Sequence, residues 1–169
     1  LLDFTGEQKR LLKAGLARAK PEGTNVNALV NFRLLNAAQS LFEREAHAEI
    51  IKNYDGSPRF ETYPANHHNM SWWPTHLGPN CYLASPFAPS YRKRVLRQVR
   101  EYLDLGFTSL FYDQPFEQQP DYGRLAEGCA PEDTMGAVVS LLREVREVLR
   151  ENDPDSYMIG EFCDQFAGP

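Results

Sequence analysis

The sequence predicts an α/β protein built on a parallel sheet, more specifically part of a (β/α)₈ barrel. Three observations carry that expectation. Strand-like and helix-like stretches alternate along the chain, and strands separated by helices pair in parallel. No G-x-G-x-x-G or P-loop pattern follows any strand, which removes the usual phosphate turn of a doubly wound sheet. The alternation supplies about three βα units in 169 residues, whereas a complete barrel needs about 250. The expected organisation is therefore a central fragment, residues 1–169, of a single barrel, cut at both ends, with a long rim loop over about 59–89.

The elements follow in order. Thr5 and Gln8 have the spacing of a capping box, so a first helix begins there, with Leu11, Leu12, Leu16 and Ala19 as its apolar stripe and Pro21-Glu22-Gly23 as its end. Val26 to Leu35 alternates as a strand does. Val26, Ala28, Val30, Phe32 and Leu34 share one face, and Leu29, Asn31, Arg33 and Leu35 the other. Ser40 to Lys52 has helical character, and Tyr54-Asp55-Gly56-Ser57-Pro58 reads as a turn. Arg59 to Pro89 contains five prolines, so no long helix fits there.

The second half is more regular. Tyr91, Val95, Leu96, Val99 and Leu103 repeat at helical spacing, and Gly106 sits where a C-terminal cap belongs. Phe107 to Tyr112 forms a short strand ending at Asp113. After an irregular segment, Asp133 or Thr134 caps a helix carrying Val138, Val139, Leu142, Val145 and Leu149. Asn152-Asp153-Pro154 closes it, and Tyr157 to Phe162 forms the last strand.

Composition narrows the functional classes. Hydrophobic residues make up 42% and charged residues 24%, the balance of a globular chain. The net charge of −5 and pI near 5.4 argue against a nucleic-acid partner. The basic run Arg92-Lys93-Arg94, with Arg97 and Arg100, reads as the solvated face of an amphipathic helix. No apolar run approaches the roughly 20 residues needed to cross a bilayer, so no membrane partner is expected. Cys81, Cys129 and Cys163 are odd in number and lack metal-ligand spacing. No cofactor motif is present, and localisation stays open.

Candidate chemistry sits at strand ends. Alternation puts Ser109, Phe111 and Asp113 on one face, and Asp113 at the C-terminal mouth, where barrel enzymes place catalytic groups. Asp-Gln-Pro is also good turn chemistry, and position alone weighs the two equally. Tyr157, Ile159 and Glu161 share a face of the next strand, so Glu161 is a second rim acid. Neighbouring strands lie about 4.8 Å apart, which brings two such carboxyls near the roughly 5 Å spacing of a retaining glycosidase pair. Trp72, Trp73, His67 and His68 are candidates for substrate binding, since aromatic faces stack on sugars and imidazoles bond hydroxyls; packing of the two indoles onto the rim is the competing reading. Arg33, Asn31, Tyr112, Gln114 and Glu117 complete the candidate substrate set, with Arg33 and Asn31 equally open to a buried polar role. His67, His68 and His76 without H-E-x-x-H give only a weak metal signal, so no metal ligand is assigned.

A resemblance adds to this. Cys81-Tyr82-Leu83-Ala84-Ser85-Pro86, the helix Tyr91 to Leu105, and Gly106 through Asp113-Gln114 together resemble TIM-barrel glycoside hydrolases, in particular glycosidase-like barrels related to retaining α-galactosidases. Asp55-Gly56 and Gly160-Glu161 extend the similarity, which spans roughly Leu29 to Phe162. The chain departs from the pattern at Ala84, where a proline is common, and at Phe107-Thr108, in place of Asp-Gly. The resemblance implies a carbohydrate substrate and hydrolysis of a glycosidic bond, with Asp113 as nucleophile or sugar anchor. It also implies that the second carboxylate is Glu161 or lies beyond Pro169. A non-catalytic carbohydrate-binding barrel is the alternative, and a metal-dependent hydrolase using the loop histidines a weaker one. Either way the chain alone, without the remainder of the barrel, is expected to be inactive.

Overall fold

The computed structural model describes residues 5–36, 46–61, 81–115 and 118–160. In chain order these form α1 (Gly6–Ala19), β1 (Asn27–Val30), β2 (Leu34–Asn36), β3 (Phe60–Glu61), β4 (Cys81–Leu83), α2 (Pro89–Leu105), β5 (Ser109–Tyr112), α3 (Thr134–Asn152) and β6 (Met158–Gly160), with short 3₁₀ turns between them. The chain divides into two compact units: residues 1–31, 92–116 and 138–169, and residues 32–91 with 117–137.

The first unit is mixed α/β. Its sheet has the order β1-β5-β6, and both pairings are parallel, as alternation with helices requires. The sheet is open among the described residues. Register places Ala28 beside Leu110 and Val30 beside Tyr112, and all four side chains are buried. With Val95, Val99, Leu103, Val138, Leu141, Val145 and Leu149 from the two helices they form the core of this unit. The period of 3.6 selects those helix positions. On α3 the buried stripe takes Leu141 and Val148 and leaves Val139 and Leu142 half-buried, a rotation of about one residue from the sequence expectation.

The opposite face of the sheet is different. Leu29, Phe111 and Ile159 are direct register partners across the three strands. Leu29 is 69% and Ile159 41% exposed. With the half-buried Phe111 between them, they form an apolar row in register that is partly open among the described residues, which is the unusual feature here, since scattered exposed apolar residues are ordinary.

Capping fixes the ends of the helices. Thr5 and Gln8 form the expected capping box: the Gln8 backbone N–H donates to Thr5 Oγ1 at 3.3 Å, and the Thr5 N–H to Gln8 Oε1 at 2.8 Å. Of the α1 stripe only Leu16 is buried, and Leu11 faces solvent. Gly106 ends α2 at φ 108°, where a Cβ would also sit 3.3 Å from Leu16 Cβ. Replacement of Gly106 by Ala is therefore expected to cost roughly 1–3 kcal/mol, from backbone strain plus that contact. A thermal melt within about a degree of the unchanged protein would show that the turn tolerates a side chain.

The second unit holds an antiparallel sheet of order β2-β4-β3. Here the structure corrects two sequence expectations. The alternating stretch Val26 to Leu35 is not one strand: β1 stops at Val30, the chain turns at Phe32-Arg33, and β2 joins the other sheet. The helix expected over Ser40 to Lys52 does not reach its end. Ala46–Glu49 is a 3₁₀ turn, and Ile50 and Lys52 make bridges to Ala84 and Pro58. Backbone pairing with distant segments overrides local periodicity there, because the Ile51 N–H is already given to Leu83 O at 2.8 Å. The Tyr54–Pro58 turn is as expected, with Gly56 at φ 81°. Within Arg59 to Pro89, β3, β4 and the first helical residue Pro89 are ordered elements rather than loop; a proline suits a helix start because its missing N–H is unsatisfied there anyway.

A buried carboxylate organises this unit. Asp121 is 0% exposed. Its Oδ1 accepts from the backbone N–H groups of Lys52 at 3.1 Å and Gly123 at 2.9 Å, and its Oδ2 from Ser85 Oγ at 2.5 Å. Its own N–H donates to Thr134 Oγ1 at 3.1 Å. Three chain segments thus meet on one side chain.

Chain order relates the two units. Residues 32–91 follow β1, and residues 117–137 follow β5. The second unit therefore consists entirely of excursions that leave from the C-terminal ends of parallel strands.

Candidate active site at the strand ends

Asp113 stands immediately after β5, the central strand of the parallel sheet. Its backbone N–H donates to Val30 O at 2.8 Å, which continues the parallel ladder one residue past the strand. Its half-buried side chain meets Asn31, the residue just past β1: Asn31 Nδ2 donates to Asp113 Oδ2 at 3.0 Å. Asn31 and Asp113 are thus brought together across 82 residues of sequence. An amide donor to one carboxylate oxygen holds the group's plane and leaves lone pairs on the other oxygen for a reaction partner.

The next residue is strained. Gln114 has φ 52°, the sole non-glycine residue in the left-handed region among those described. A glutamine there costs of order 1 kcal/mol or more, and such outliers cluster at functional sites. Buried Pro115 follows. The strand end is therefore held from two sides, by the Asn31 amide and by an abrupt backbone turn.

The other candidates separate by burial. Tyr112 is buried on the core face beside Val30, so its side chain points away from the face of Asp113. Arg33 is 2% exposed and belongs to the second unit, because the strand that was to carry it ends before it. Its guanidinium lies in that unit's interior, which also buries Glu49 completely. Trp72, Trp73, His67, His68, Glu117 and Glu161 lie outside the described residues. Cys129 is a free thiol, and no cluster of three or more metal-ligating side chains occurs among the described residues. Arg94 is buried rather than solvated, and Arg92 pairs with Glu144, whereas Lys93, Arg97 and Arg100 face solvent. Asp121, a buried carboxylate with three donors, carried no sequence signal, since two of them come from distant residues 52 and 85.

A groove lined by Leu16, Gly106, Phe107, Thr108, Asn152 and Asp153 occupies the opposite end of the strands, ahead of β5 and β6. In parallel barrel enzymes the N-terminal end of the strands serves stability and the C-terminal end carries the chemistry.

No protein-family model matches the chain, and no curated protein matches it in sequence. Solved structures do. The fold, a parallel sheet alternating with helices, is similar over nearly the whole chain to part of several solved glycoside hydrolases. One is the type III pullulan hydrolase from Thermococcus kodakarensis, with a TM-score of 0.57, 14% identity, and coverage of 92% of this chain and 24% of that one. Another is the α-galactosidase from Thermus thermophilus in complex with stachyose, at TM-score 0.55 and 16% identity, covering 88% of this chain and 27% of that one. The glycoside hydrolase domain of PelA from Pseudomonas aeruginosa gives TM-score 0.55 and 16% identity, with 92% and 52% covered. The chain thus spans between a quarter and about half of the length of these neighbours.

Proposed function

We propose that the protein is a carbohydrate-active barrel that hydrolyses a glycosidic bond, with Asp113 as its nucleophile or transition-state-stabilising carboxylate. The observation that carries this reading is the carboxylate at the C-terminal end of the central parallel strand, oriented by Asn31 and followed by a left-handed residue. Glycosidases use a pair of acids around an oxocarbenium-like transition state. Glu161, directly after β6, is the proposed second acid. In the same reading the chain supplies about three βα units of one (β/α)₈ domain. The partly exposed row Leu29, Phe111 and Ile159 is then interior surface, filled by the remaining strands of that domain. The excursions after β1 and β5 become enlarged βα loops, the connections that shape the substrate site, and Gln114, Glu117, His67, His68, Trp72 and Trp73 are proposed sugar contacts on them. No nucleic-acid or membrane partner is part of this reading.

The test is hydrolysis of a panel of aryl α- and β-glycosides by the protein with its complete barrel, with the product anomer followed by NMR. Release of a sugar with retained configuration is the expected result. An inverted product would move the second acid from Glu161 to a more distant residue, because inverting pairs stand roughly 6.5–9.5 Å apart. Sugar binding without turnover would make the barrel a carbohydrate-binding protein instead.

A further inference from the structure

Two tyrosines of the second unit face solvent together. Tyr54 is 86% and Tyr122 37% exposed, and their rings stand 5.6 Å apart, centroid to centroid, at 90°. Both stand on backbone that hydrogen bonds hold in place. Tyr54 sits in a turn closed by Asn53 N–H to Ser57 O at 2.8 Å and Gly56 N–H to Asn53 O at 2.9 Å. The Tyr122 N–H donates to Lys52 O at 3.0 Å, and the preceding residue is the buried Asp121. The same segment thus brings the two residues together: Lys52 holds the backbone of Tyr122 and lies two residues before Tyr54.

We infer that Tyr54 and Tyr122 form a carbohydrate-binding platform separate from the Asp113 strand end, taking one pyranose unit of a polysaccharide in the corner between the rings. Three physical points select this occupant. The apolar C–H face of a pyranose stacks on an aromatic face, and two rings already in edge-to-face contact on a hydrogen-bonded backbone have less ordering left to lose on binding. Two tyrosines present far less area than the roughly 800 Å² per partner of a stable protein interface. Single-stranded nucleic acid needs aromatics along a cationic groove; here Asp55 adjoins Tyr54, and the Ser57 hydroxyl and N–H bonded to its carboxylate at 2.6 and 2.9 Å hold its pKa below the usual value. Hydroxyls at the sugar's edge find acceptors in that carboxylate and in the phenol oxygens.

The inference rests on the carbohydrate-directed reading of the protein but not on bond cleavage, so the test uses the Asp113→Asn background. Affinity electrophoresis through soluble pullulan, galactomannan and partly deacetylated galactosaminan measures retardation. Retardation is expected in at least one gel, falling at least tenfold in apparent affinity for Tyr54→Ala with Tyr122→Ala and persisting in Tyr54→Phe, which keeps the ring. Because Tyr54 is so exposed, its replacement leaves the melting temperature unchanged, and that control is read alongside. Migration unaffected by all three polysaccharides, or retardation equal in the double variant, overturns the platform. So does a self-association by light scattering that Tyr54→Ala abolishes, since the pair would then be a contact between copies.

Discussion

Replacing Asp113 by Asn is expected to lower kcat for aryl glycoside hydrolysis at least about a thousandfold while leaving the fold intact. Asparagine keeps the shape and volume of the side chain at a half-buried position, so packing changes little. What it removes is the negative oxygen that attacks or stabilises the anomeric carbon, and a thousandfold loss corresponds to about 4 kcal/mol of transition-state stabilisation. Replacing Asn31 by Ala should act on the same group more mildly. It removes the 3.0 Å amide contact to Asp113 Oδ2 and frees the carboxylate to rotate, and misplacement of a reacting group costs up to about a hundredfold. Because Asn31 is placed as a positioning residue, the loss should appear in kcat with KM nearly constant. The measurement is steady-state kinetics of both variants beside the unchanged protein. An Asp113→Asn enzyme within tenfold of the parent would remove Asp113 from the chemistry, and an Asn31→Ala effect confined to KM would return Asn31 to direct sugar contact.

The largest stability effect is expected at Asp121, outside the proposed chemistry. Replacement by Ala deletes a carboxylate that is 0% exposed and leaves the N–H groups of Lys52 and Gly123 and the hydroxyl of Ser85 without their acceptor. The buried Ser85 hydroxyl so orphaned costs about 1–3 kcal/mol and the two part-buried N–H groups less each, and the three together outweigh the desolvation relieved by removing the charge. A net loss of about 3–5 kcal/mol lowers the melting temperature by roughly 10 °C in a chain of this size. Circular dichroism melts of Asp121→Ala and Asp121→Asn give the comparison. Asn retains one acceptor oxygen and should fall between Ala and the parent. A shift below about 2 °C for Ala would mean that water replaces the carboxylate at little cost.

The contrast between Asp113 and Asp121 shows what was legible from sequence. Asp113 could be found because its signal is local: alternation in Ser109–Tyr112 and a helix stripe ahead of it place one acid at a strand end. Asn31 was also singled out, but its pairing with Asp113 could not be read, since only the parallel register brings residues 82 apart into contact. Asp121 was invisible for the same reason, with every side-chain donor but one coming from distant segments. The boundary between β1 and β2 was hidden differently. Apolar alternation runs through Phe32 and Arg33 without a break, yet the chain turns there and changes sheet. Period identifies a strand's faces and says nothing about its partner. The mis-set end of the Ser40–Lys52 helix is the same failure, because the competing bonds of Ile50 and Ile51 go to residues 83 and 84.

The hydrogen bond from the Tyr91 hydroxyl to the Phe32 carbonyl has a kinetic meaning. Phe32 and Tyr91 are the first and last residues of the longer of the two segments that make up the second unit. Pairing β1 with β5 from an open chain requires closing a loop of 82 residues, an entropic toll of about 4 kcal/mol. A second unit that has already condensed ties its two ends through Tyr91 and Phe32, and the loop left to close is then only the few residues of β1 on one side and α2 on the other. The discontinuous sheet therefore gains from assembling last, after the inserted segment has folded. The contact order that slows parallel pairing is in this way broken into two shorter searches.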